Sequence, residues 1–71
     1  MKVYLVLYRI ESVMAPSDAP FGFRCHAENV DHAEEQCMDA YPDCGIVWVT
    51  DTDDYEEALK QYYWLENEVR A

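Results

Sequence analysis

Five side chains in this sequence belong to types that bind transition metals: Cys25, His26, His32, Cys37 and Cys44. Structural zinc sites are tetrahedral and draw on closely spaced donor pairs such as C-x2-C. No such pair occurs. Cys25 and His26 are neighbours in a stretch that alternates like a strand, so they point to opposite faces. His32 and Cys37 are five residues apart in a helical stretch, which separates them by about 140° around the axis. No metal and no cofactor are expected. Nucleophilic catalysis has no better footing, for there is no Gly-x-Ser-x-Gly elbow, no glycine-rich phosphate loop and no cysteine with an activating neighbour. Acid–base catalysis needs a pocket that shifts a pKa, and a 71-residue chain has little room for one. The sequence reads as that of a protein that is not an enzyme.

What it has in excess is carboxylate. Fifteen acidic residues face five basic ones, giving a formal charge of −10. Asp31, Glu35 and Asp39 follow one another at four-residue spacing, with Glu28 just ahead of them. Asp51, Asp53, Asp54, Glu56 and Glu57 form a second block. No Lys or Arg lies between Cys25 and Leu59. A soluble helix ordinarily mixes its signs and gains from pairs at i,i+4, whereas uncompensated charge costs stability through self-repulsion. Two readings stand side by side: solvated faces that only keep the chain in solution, or a surface that occupies Arg and Lys sites meant for phosphate. Direct nucleic-acid binding is excluded, because phosphate contacts need cations. Trp64 is the second candidate. At about 100° per residue it falls opposite the apolar stripe of its helix, among Glu57, Lys60, Gln61 and Glu68. Such a tryptophan is either tucked under a loop or an anchor for a partner, since Trp is enriched at binding hot spots.

The elements that must carry these residues form one domain, 1–71. Lys2–Ile10 is a strand, with Val3, Leu5 and Leu7 on one face and Tyr4, Val6, Tyr8 and Ile10 on the other. A strand apolar on both faces is central. Glu11–Pro20 is a loop with turn chemistry. Phe21–Glu28 is a half-buried strand, Phe21, Phe23, Cys25 and Ala27 inward and Arg24, His26 and Glu28 outward. Asn29 caps a helix whose stripe is Val30, Ala33, Cys37, Ala40 and Tyr41, and Pro42 stops it. Gly45–Asp51 is a third strand, with Ile46 and Trp48 on one face and Val47 and Val49 on the other. Asp53 or Asp54 caps a last helix, whose buried stripe is Tyr55, Ala58, Leu59, Tyr62, Leu65 and Val69.

The crossover from second to third strand is long enough to make those two parallel. The first then fits between them, antiparallel to both. The expected fold is α+β, a three-stranded and mainly antiparallel sheet in the order β2-β1-β3 with topology β-β-α-β-α. One helix covers each face, or one face is left for a partner. Three cysteines and no secretory segment imply reduced thiols and a cytoplasmic protein. Cys25 and Cys37, on apolar stripes, should be buried and free. The apolar run Val3–Tyr8 is too short to span a membrane.

The stretch Phe23–Thr50, with Ala27-Glu28-Asn29 ending a strand, an acidic helix containing Ala33-Glu34, a Tyr41-Pro42 break and a further strand, resembles small acidic phage inhibitors of host RNA polymerase. In that family a three-stranded sheet carries a crossing helix, and a negative strip contacts the polymerase. The resemblance maps the strip onto Glu28, Asp31, Glu34 and Glu35. The third strand departs from it, with Val49-Thr50-Asp51 where the family has arginines. The resemblance implies a phage-type inhibitor, acting in the host cytoplasm on a nucleic-acid-handling machine, either RNA polymerase or a defence complex. Its partner would be a host protein with a basic surface, deceived by a DNA mimic. The competing expectation is a structural or homodimerising accessory protein with an apolar self-interface.

Overall fold

Five elements follow one another: β1 (Lys2–Arg9), β2 (Phe21–Ala27), α1 (Val30–Ala40), β3 (Gly45–Thr50) and α2 (Tyr55–Arg70). The structure, a computed structural model, describes residues 2–70, with side chains through Trp64. Leu65, Glu68 and Val69, which the sequence places on and opposite the stripe of α2, lie outside the described side chains.

The sheet has the order β2-β1-β3, with β1 antiparallel to both neighbours. Its two-faced apolar pattern is the cause, since only the central strand is covered on both sides. Tyr4, Val6 and Tyr8 pack with Cys25, Ala27, Ala33 and Cys37 under α1. Leu5 and Leu7 pack with Ala58, Leu59 and Tyr62 under α2. The fold is therefore α+β, with one helix on each face. Both outer strands are parallel to each other, so β2 reaches β3 by a crossover through α1.

Each helix starts on a side-chain cap. Asn29 Oδ1 accepts from the His32 backbone N–H at 2.8 Å, satisfying a donor of the first turn of α1. Asp54 Oδ1 accepts from Glu56 N–H at 3.0 Å at the start of α2. The long loop between β1 and β2 wraps around Arg9, whose guanidinium donates to the carbonyls of Asp18 (2.6 Å) and Ala15 (2.8 Å) and to Glu11 (3.1 Å). Met14 is buried in the loop, its sulfur accepting from the Ile10 backbone N–H at 3.1 Å.

Two faces differ from the alternation expected of them. In β3, Leu7 pairs with Trp48 but Tyr8 pairs with Ile46, so Val47 is an extra residue. This bulge breaks the period of two. Ile46 and Val49 consequently face α1, while Val47 and Trp48 pack toward α2. The expected partition, Ile46 with Trp48 and Val47 with Val49, is thereby corrected. In α1 only Ala33 and Cys37 of the expected stripe are buried. Val30 is 44% exposed because it overhangs the outer strand β3, beyond which no further strand lies among the described residues. Tyr41, past the last turn, is also partly exposed, with its ring stacked on Tyr8 at 5.0 Å.

One glycine is there for close approach. A Cβ on Gly22 would stand 2.6 Å from Cδ1 of Tyr55, a ring held by its hydroxyl's hydrogen bond to the Pro20 carbonyl. Gly22→Ala is expected to destabilise the protein by about 1–3 kcal/mol, the usual range for overpacking. Removing the obstacle should recover most of that loss. Urea melts of Gly22→Ala and of Gly22→Ala/Tyr55→Ala would show this as a coupling between the two changes, and strict additivity would contradict the contact.

Candidate functional site

The carboxylates sort by what the fold does with them. Asp31, Glu35 and Asp39 are exposed along the outer side of α1, and Glu28 is exposed at its entrance. Among the described residues no Lys or Arg forms an ion pair with any of the four; the two pairs present are Arg9–Glu11 and Arg24–Asp53. Asp53 is thus partly compensated, 4.0 Å from Arg24 across an exposed gap. Asp54 spends its carboxylate on capping α2. Glu56 and Glu57 are exposed in the first turn of that helix, where the helix dipole favours them.

Topology brings the two acidic blocks closer than the sequence suggests. Because β2 and β3 run parallel, both end at the same edge of the molecule. The start of α1, with Glu28 and Asp31, and the turn Asp51–Asp54 leave the sheet there together. Glu35 and Asp39 continue the strip down one face, and Glu56 and Glu57 begin the other helix on the opposite face. Glu34 lies apart from the ridge, half-buried on the flank of α1 that overhangs β3.

Trp64 is 64% exposed on the outer side of α2, as the helical angle requires. It does not stand alone. With Trp48, Glu57, Lys60 and Gln61 it walls an open groove of about 540 Å³. Trp48 is held in that wall by its indole N–H, which donates to Gln61 Oε1 at 3.3 Å. Sequence reasoning missed Trp48. Its place beside α2 depends on the bulge at Val47, which nothing in the local pattern announces.

The thiols lie elsewhere. Cys25 and Cys37 are buried and free, and Cys44, half-buried, has its sulfur 3.8 Å from that of Cys37. Burial pushes the Cys25 thiol up, and burial with the neighbouring Cys44 pushes Cys37 up to about 12. A raised pKa disfavours the thiolate, the reactive form. Cys25 and His26 point to opposite sides of β2, one buried and the other exposed. Among the described residues no three His, Cys, Asp or Glu side chains gather where they could share a metal ion. Also among them, no helix is long and apolar enough to cross a membrane.

Chemically, then, the surface offers fixed negative charge, an aromatic groove and an apolar strand edge, all of them means of binding. Compared with known proteins, the chain matches no family model, no curated protein and no solved structure.

Proposed function

We propose that this protein acts by binding, presenting the acidic strip of α1 and the adjoining turn to a basic surface of a protein that handles nucleic acid. The observation that carries this reading is the uncompensated strip itself: Glu28, Asp31, Glu35 and Asp39 stand exposed, and among the described residues no cation is paired to them. Carboxylates fixed on a rigid helix take the place of phosphates at Arg and Lys sites and speed encounter with them. The likeness of residues 23–50 to phage inhibitors of RNA polymerase narrows the proposal to an inhibitor that blocks such a machine. Trp48 and Trp64, which line one groove, supply the apolar anchor that a charged surface lacks.

Capture from a bacterial lysate on the immobilised protein tests the reading, with the triple variant Asp31→Lys/Glu35→Lys/Asp39→Lys alongside. Each change moves the formal charge by two, from −10 to −4 in all. The fold should survive, as exposed substitutions usually cost under about 0.5 kcal/mol. The parent should retain basic nucleic-acid-handling proteins that moderate salt releases. The triple variant should associate with them at least roughly tenfold more slowly, with most of the salt dependence gone. Trp64→Ala should leave association alone and speed dissociation by about 30-fold, as for a hot spot of about 2 kcal/mol. Equal capture by parent and triple variant would reduce the strip to a solvated face. For the captured machine, a purified transcription or cleavage assay then decides whether binding inhibits.

A further inference from the structure

We propose that the outer edge of β3 is a strand-addition site for an extended partner segment in which basic and bulky apolar residues alternate. The proposal rests on the acidic-surface reading and gives its partner a conformation.

β3 has β1 on one side and no strand on the other among the described residues. Soluble proteins normally blunt such an edge with lysine, proline or an inward-pointing charge. The six residues of β3, Gly45–Thr50, carry none of these. The edge is also left open above and below. On the α1 side a groove of about 290 Å³ runs along it, walled by Val30 and Glu34 of the helix and by Ile46, Val47, Trp48 and Val49 of the strand. On the α2 side lies the groove of Trp48 and Trp64. The strand is therefore flanked along its free edge by two troughs, one on each face of the sheet.

A strand paired to that edge sends alternate side chains to opposite faces. Those directed toward α1 meet Glu34, on a helix that contains no Lys or Arg. Those directed toward α2 meet two indoles, with Glu57 and Lys60 balancing each other in charge. Basic residues suit the first trough and bulky apolar ones the second. The opposite edge, β2, is not equivalent: Tyr55 at the start of α2 lies over its Gly22, and Arg24 stands exposed on it, a cation that disfavours a basic segment.

A second copy is the wrong occupant by charge. Antiparallel pairing of β3 with its equivalent has its two-fold axis perpendicular to the sheet, which puts both α1 helices on one face. Glu34 and the acidic strip would then approach their own copies with no cation between them.

The probe is a peptide of alternating lysine and valine, as long as β3 (six residues), titrated into isotopically labelled protein at low salt. Amide exchange at alternate residues of β3 should slow by roughly tenfold or more. Methylating alternate backbone nitrogens of the peptide should abolish binding in one of the two registers and spare it in the other. Glu34→Lys should weaken the peptide at least about fivefold, while a threonine–valine peptide of equal length is bound more weakly and is indifferent to that change. Absence of binding overturns the proposal. Binding without protection of β3, with shifts confined to the α1 strip, overturns strand addition but leaves the acidic-surface reading standing. Equal affinity for the threonine peptide, insensitive to Glu34→Lys, keeps the edge but removes its selection for basic residues, and with it the charge argument of both. Protection of β3 that grows with protein concentration alone assigns the edge to a second copy and overturns the proposal.

Discussion

Replacing Leu7 by alanine is expected to lower the unfolding free energy by about 2–5 kcal/mol, the range for a large-to-small change in a packed core. The upper half of that range applies, for a local reason. Leu7 is fully buried on the central strand, and its row across the sheet runs Gly22, Leu7, Trp48. Gly22 has no side chain to move into the space. Tyr55, which covers Gly22, is held by its hydroxyl to the Pro20 carbonyl, and Trp48 is tied to Gln61. The walls of the cavity therefore relax little, and the cost depends on how far they can collapse. Domains have about 0.05–0.15 kcal/mol of stability per residue, so roughly 4–11 kcal/mol is available to this one. Leu7→Ala should bring it to the margin of folding. Urea unfolding should show a large drop in midpoint at unchanged slope. Val47→Ala, at the half-buried bulge, should cost less than half as much. A Leu7→Ala loss under about 1 kcal/mol would mean that α2 does not close over β1 as described.

Stability should also fall steeply in alkali, beginning near pH 9. Burial, with Cys44 beside it, raises Cys37 from 9.0 to about 12, and burial together with the Tyr41 hydroxyl raises Tyr8 from 10.0 to about 12. Below pH 9 the thiol is protonated in both folded and unfolded chains and contributes no pH dependence. Between pH 9 and 12 the unfolded chain loses that proton while the folded one keeps it, so the unfolded state binds fewer protons and unfolding becomes easier as pH rises. Cys37 therefore contributes a loss of stability that grows through this window. Tyr8 steepens the fall above pH 10. Cys37→Ala should be somewhat less stable at neutral pH yet lose stability more slowly between pH 9 and 12. Parallel decline of parent and variant would show that Cys37 ionises in the folded protein as it does in water.

The frame is written along the chain. Strand β1 is apolar at successive positions from Val3 to Tyr8, and only the middle of a sheet buries both faces of a strand. The length of the β2–α1–β3 connection then required parallel outer strands, and the order followed. Asn29 as a cap, Ala33 and Cys37 as the seam of α1, and Trp64 as an outward residue were likewise legible, because helical angle is a local property. Tertiary structure alone decided which residues share a surface. One extra residue at Val47 turns Trp48 toward α2 and creates the groove with Trp64; a bulge is set by how two strands pair, and a period-two pattern read along one strand cannot contain it. Val30 and Glu34 became the rim of an open edge because no strand follows β3, a fact of the whole sheet. The two acidic blocks, far apart along the chain, leave the sheet at the same end because β2 and β3 run parallel. Charge and periodicity are written residue by residue, whereas adjacency exists only once the strands have paired.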